Sequence, residues 1–232
     1  MNMKKNKLLV TSIVTGMLFT PFADTNVYAA DSNAEVEFTL PEDAVAPQLP
    51  DGSGKPNTDG GTTGNVTGET GALTLDYASN LEFGTHTLET VKKEYNATTK
   101  QPYIQISDRR GSGEGWHVTA QLSRFTQEGT PTLSGATIDL KNGKALSQSG
   151  NKAPAPEESV VLNSGGSAVN VVSAAAKTGE VPTAQGLGTW TNSWLATQDT
   201  NENVILTIPN GAASKGKHTA TITWTLVAGP TK

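Results

Sequence analysis

Lys217-His218-Thr219-Ala220-Thr221-Ile222-Thr223-Trp224-Thr225-Leu226-Val227-Ala228-Gly229-Pro230 alternates without a break from Thr219 to Leu226. Ala220, Ile222, Trp224 and Leu226 take the even positions, and threonines take the odd ones. In an extended strand successive side chains point to opposite sides, so one face is apolar and the other carries hydroxyls. About a hundred residues earlier the same arrangement appears in Gly115-Trp116-His117-Val118-Thr119-Ala120-Gln121-Leu122. There Trp116, Val118, Ala120 and Leu122 share one face, opposite His117, Thr119 and Gln121.

Each tryptophan therefore lies on the apolar face of its own strand, which makes core packing one reading of Trp116, Val118, Trp224 and Leu226. The other places them at the border of a groove, where indole faces stack on sugar rings or on a partner's apolar chain. Trp190 and Trp194 belong to no regular apolar row. They are candidates for an exposed aromatic platform as much as for the core.

Short strand-like runs with turn signals extend outward from these two strands. They are Leu73 to Tyr77, Leu81 to Leu88, Tyr103 to Asp108, Ala136 to Leu140, Ser159 to Leu162, Ala168 to Ser173, Gly188 to Leu195 and Val204 to Ile208. Asn142-Gly143 suits a type I′ hairpin turn. Only Ser173 to Lys177 suggests a turn of helix. The expected class is all-β, an antiparallel β-sandwich, immunoglobulin-like or related.

Ala34-Glu35-Val36-Glu37-Phe38-Thr39-Leu40 alternates as well and reads as the first strand. After it, about 41–71 is rich in Pro, Gly, Asp, Asn and Thr and nearly free of large apolar residues. Such a segment has nothing to bury and reads as a long, disordered loop of the same domain. The expected organisation is a leader at 1–29 and one domain over 30–232.

The leader expectation rests on Lys4, Lys5 and Lys7, the apolar run Leu8 to Phe19, and Val27-Tyr28-Ala29 at a cleavage position. The run is too short for a permanent membrane span. Export follows, with no membrane span in the mature protein. The net charge is -5, and the leader carries a net +2, so the mature chain stands at -7. An acidic chain suits neither nucleic acid nor anionic membrane, which bind through Lys and Arg. Contact with an anionic polymer would then use shape, stacking or hydrogen bonds. The local basic pairs Lys92-Lys93 and Arg109-Arg110 remain able to touch single anionic groups, and Asp108 and Arg109 are candidate binding residues. There is no cysteine, so an exported chain of this kind relies on its core alone.

Enzyme chemistry finds little support. His86, His117 and His218 are far apart and lack ligand spacing, so no metal site or cofactor is expected. No Gly-x-Ser-x-Gly elbow occurs. Gly111-Ser112-Gly113-Glu114-Gly115 joins two strands, so it is not a phosphate cradle opening a helix.

The chain resembles the WxL cell-surface domain family of low-GC Gram-positive bacteria over essentially its whole mature length. The resemblance is carried by Leu73 to Gly84, by Asp108-Arg109-Arg110-Gly111 running into Gly115-Trp116-His117-Val118, by Gly188-Thr189-Trp190, and by Val204 to Pro209 leading to His218 through Leu226 and Pro230. It departs from the family pattern at Val118, where Leu is usual, and at His218, where Tyr is usual. The resemblance implies a non-enzymatic protein attached non-covalently to peptidoglycan at the cell surface. It also implies partners, namely a membrane-anchored WxL-interacting protein and other WxL proteins. The alternative it leaves open is a structural or adhesive subunit that docks on the WxL-interacting protein and not on glycan.

Overall fold

The computed structural model describes residues 30–58 and 64–231. The expected leader lies outside the described residues. The chain divides at Phe38, with Thr39 to Lys232 forming the folded body.

The strands of that body are β1 (Gly64–Val66), β2 (Leu73–Ser79), β3 (Lys93–Ala97), β4 (Tyr103–Asp108) and β5 (Trp116–Leu122). A small hairpin, β6 (Thr126–Gln127) and β7 (Thr130–Pro131), is followed by β8 (Thr137–Lys141), β9 (Lys144–Leu146) and β10 (Ala155–Pro156). Then come β11 (Ser159–Asn163), β12 (Val169–Ala174), β13 (Gly188–Ser193), β14 (Asn201–Ile208) and β15 (Ile222–Ala228). The named strands pair antiparallel in three main sheets: A, of order β1-β2-β4-β13-β9; B, β10-β12-β5-β15; and C, β11-β8-β14-β3. The sheets pack together as an all-β sandwich, as the alternation predicts.

The inner rows build one core. Trp116, Val118, Ala120 and Leu122 of sheet B meet Ile138, Leu140, Val160, Leu162, Val204 and Leu206 of sheet C, with Leu75, Ile104 and Ile106 from sheet A. Each Val, Leu or Ile among them contributes about 1.5–3 kcal/mol when fully buried. In β12 the register shifts between Asn170 and Val172, and both Val171 and Val172 are buried. A bulge of this kind adds a residue to one strand and re-aims its neighbours.

Four local expectations fail, each for a physical reason. Ala34 to Leu40 is not a strand, and Val36, Phe38 and Leu40 are exposed. Alternation gives a segment a strand's faces but not a partner. Leu81 to Leu88 is likewise irregular, although Leu81 and Phe83 pack on the core. Asn142-Gly143 does not close a hairpin, because β8 belongs to sheet C and β9 to sheet A. It is a corner at which the chain changes sheet, with Asn142 at φ 56 and its amide donating to Asn203 Oδ1 at 2.8 Å. Ser173 to Lys177 gives no helix; a 3-10 turn forms later, at Val181–Thr183.

The Pro/Gly-rich segment is held to sheet A over part of its length. Gln48 N donates to Gln105 Oε1 at 2.7 Å, Gln105 Nε2 donates to Ala46 O at 3.1 Å, and Asn57 Nδ2 donates to the Tyr103 hydroxyl at 2.9 Å. Polar groups do here what a missing apolar row would otherwise do. Beneath it Asp76 is buried and accepts hydrogen bonds from Thr74, Gln105 and Ser107. Burial raises its pKa above the ordinary aspartate value, against the opposing pull of those donors.

Candidate functional site

The two Trp-x-aliphatic steps, a hundred residues apart in sequence, are neighbours in sheet B. β5 and β15 pair with Leu226 opposite Val118, Trp224 opposite Ala120, and Ala228 opposite Trp116. On its other side β5 places Trp116 beside Ala174 of β12. Each indole thus faces alanine across the ladder, which leaves room for a large ring on a pleated face.

Their burial differs. Trp116 is 0 % exposed, and its Nε1 donates to Gly186 O at 3.1 Å. A Cβ at Gly186 would lie 2.7 Å from the Trp116 ring, and this glycine holds φ +70, a conformation that L side chains rarely adopt. Trp224 is only partly buried. Its ring neighbour is the buried Trp194, at a ring-centroid distance of 5.9 Å and tilted 32°, which ties the edge of sheet B to the end of β13 in sheet A. Val118 is buried in the core, and Leu226 is partly buried beside it.

Of the two readings of Trp190 and Trp194, exposed platform or core packing, their burial matches the second: neither ring faces solvent. Trp190 Nε1 donates to Leu187 O at 3.0 Å, and Trp194 lies against Trp224. Trp190 lies within β13 opposite Ile106 of β4, and Trp194 directly follows the strand.

Asp108 and Arg109 do not form one site. Asp108 is paired with Arg110, whose Nε and Nη2 donate at 2.9 and 2.8 Å to its two carboxylate oxygens. The same guanidinium reaches Glu114 at 3.0 Å and Gly115 O at 2.7 Å. Arg110 thereby closes the glycine-rich turn and delivers the chain into Trp116. Arg109 instead reaches the Asp43 carboxylate at 3.1 Å and the carbonyl oxygens of Asp43 and Gly71, fastening the Pro/Gly-rich segment. All three charged groups are engaged within the protein.

The three imidazoles stand on separate elements. His86 stacks on Tyr95, His117 Nδ1 bonds Gly229 O at 2.8 Å, and His218 lies between Thr132 and Ser214 O. Among the described residues no cluster of His, Cys, Asp or Glu is placed to hold a metal ion. A shallow pocket of about 590 Å³ lies near Arg124, Thr132, Leu133 and Ser164, and its lining has neither a carboxylate nor an aromatic ring.

The surface that the motif does create is the outer face of sheet B. Gln121 stands opposite Thr223, Thr119 opposite Thr225, and His117 opposite Val227. The outer rows of β5 and β15 carry no Lys, Arg, Asp or Glu, although the chain is acidic overall. The result is a flat strip of hydroxyl and amide groups backed by the tryptophan face. In the sequence these residues are only the polar half of an alternation; the signal that marks them is the absence of charge on both strands.

The fold and these two faces define an all-β surface module in which a repeated Trp-x-aliphatic step is built into the framework. The chain belongs to the WxL family: the family described as "WxL domain surface cell wall-binding" matches residues 25–230. That is a cell-wall-binding family and not an enzyme family, and it makes this a cell-surface protein of the wall-binding kind. No curated protein and no solved structure matches the chain. Among the described residues no helix is long and apolar enough to cross a membrane.

Proposed function

We propose that the protein is exported by the leader at 1–29 and attaches without a covalent bond to the peptidoglycan of a Gram-positive wall, acting as a non-catalytic binder. In this reading the outer face of sheet B makes the contact. The observation that carries it is the uncharged strip of Thr119, Gln121, Thr223 and Thr225 lying directly behind the motif tryptophans.

Strands about 4.8 Å apart, with same-face side chains every second residue, set these groups out as a regular flat grid. Such a grid matches the amide and hydroxyl groups of N-acetylated sugars and peptide stems. An acidic protein gains nothing from charge attraction to an anionic wall, so hydrogen bonds and shape must supply the affinity.

The test is sedimentation of the purified chain with peptidoglycan stripped of teichoic acid and protein, at low and at high salt. Co-sedimentation that persists at high salt is expected, because hydrogen bonds are screened less than surface charge pairs. The combined substitution Thr119→Ala, Gln121→Ala and Thr223→Ala is expected to weaken binding at least about tenfold, roughly 1.4 kcal/mol. Failure of the unaltered chain to sediment would sink direct wall binding. A pull-down by the WxL-interacting protein without any glycan would then favour docking on that partner.

A further inference from the structure

Sheet B ends in an open edge, and the chain holds an unpaired segment with a strand's alternation. We propose that Ala34–Leu40 of one copy adds as a strand to the free edge of β15 in a second copy, so that copies join head to tail.

The acceptor stands out among the outermost strands of the three main sheets. Exposed edges attract foreign strands, and proteins blunt them with charge, proline or short length. β1 and β9 have three residues each, β10 has two and includes Pro156, and β3 carries Lys93 and Glu94. β11 is uncharged but five residues long, and Glu157 and Glu158 precede it. β15 has seven residues, with no charge and no proline. None of these devices protects it.

Its backbone is also aimed correctly. Ser123 N donates to Thr221 O, and Gly229 N donates to Gly115 O, with an unbroken register between them. In an antiparallel ladder the bonded residues alternate. The odd residues of β15 therefore turn their N–H and C=O groups toward β5. Ile222, Trp224, Leu226 and Ala228 turn theirs outward, where no described residue pairs with them. The side chains of Ile222, Trp224 and Leu226 are only partly covered, whereas the inner row of β5 is fully buried.

The donor has the matching pattern. Val36, Phe38 and Leu40 alternate with Glu35, Glu37 and Thr39, over seven residues that contain neither Gly nor Pro, and Pro41 ends the run. Val36 is 73 %, Phe38 88 % and Leu40 60 % exposed. Three large apolar side chains on one face of an unpaired segment are what an incomplete apolar row lacks. Laid beside β15 with that face inward, they continue the Ile222–Trp224–Leu226 row. Glu35 and Glu37 then stand outside among threonines, with no acidic residue of β15 to repel them. Strand addition of this type draws affinity from main-chain bonds and specificity from alternate side chains. A donor and an acceptor that are different segments of the chain make a heterologous contact, which propagates as an open chain.

The test is analytical ultracentrifugation of the purified mature chain, residues 30–232, from about 1 to 100 µM, the range in which a weak strand addition would register. The average mass should rise with concentration. Phe38→Asp should return it to the monomer with an unchanged melting temperature, since Phe38 lies outside the core. A synthetic peptide of residues 33–41 in excess should dissolve the assembly and shift tryptophan emission to shorter wavelength as Trp224 is covered. The same peptide with Phe38→Asp should do neither. A monomer at every concentration would overturn the proposal, as would association that Phe38→Asp leaves intact. No wall material is present, so this outcome is independent of wall attachment.

Discussion

β5 and β15 carry the same step, Trp-x-aliphatic, on the same side of the same sheet, yet they live in different environments. β5 lies between β12 and β15, and Trp116 is sealed beneath the Gly186 backbone. β15 lies at the edge with one neighbour, and Trp224 is half-covered by Trp194. A motif of this kind reports position on a pleated face; how far each ring is buried is decided by which strands flank it. The same residue type can therefore be a core element in one strand and a rim element in the next.

That contrast can be broken by substitution. Trp116→Ala should cost most, about 3–5 kcal/mol, because a sealed cavity remains where the ring was. Denaturant titration should show much of a typical domain stability of about 5–15 kcal/mol removed. Gly186→Ala should follow at about 2–4 kcal/mol, since the added methyl meets the indole and the left-handed backbone is strained as well. Trp224→Ala should cost less, about 1–3 kcal/mol, because solvent already reaches the ring and the edge can relax. Equal losses for Trp116→Ala and Trp224→Ala would erase the distinction. Quenching by acrylamide sharpens it without loss of stability: Trp224→Phe should remove most of the quenchable emission, and the remaining three indoles should be protected.

The smallest effect lies away from the motif, at Asp76. Its folded pKa is raised by burial, so the folded chain binds its proton more tightly than the unfolded chain does. Stability from this group is present below the ordinary aspartate pKa and falls as pH rises through the raised value. Melting temperature followed across the acidic range should decline in that window, and Asp76→Asn should flatten the decline.

Much of this fold was legible in residues alone. Tyr103–Asp108 alternates and is a strand with those bounds, and both tryptophan strands follow from their even and odd rows. Their adjacency was not legible, because register between segments a hundred residues apart leaves no local mark. β3 was missed, as Lys-Glu-Tyr-Asn-Ala offers an edge strand no apolar row to declare it. Asn142-Gly143 misled because a turn-forming dipeptide specifies backbone angles and not which sheet the next strand joins. Trp190 and Trp194 stayed open between platform and core, because no regular apolar row shows which way either ring turns. Asp108 reads in the sequence as a binding candidate; in the fold its carboxylate is paired with Arg110, and the pair serves the turn into Trp116.

The central claim is that the tryptophan face holds sheet B in shape and the opposite, uncharged face meets the wall. Co-sedimentation with purified peptidoglycan, run side by side on two folded variants, tests it most directly. Trp224→Phe keeps an aromatic ring on the inner face, and the account predicts binding close to that of the unaltered chain. Thr119→Ala, Gln121→Ala and Thr223→Ala together leave the core untouched, and the account predicts that binding is lost. Loss in Trp224→Phe with full retention in the triple variant would contradict it.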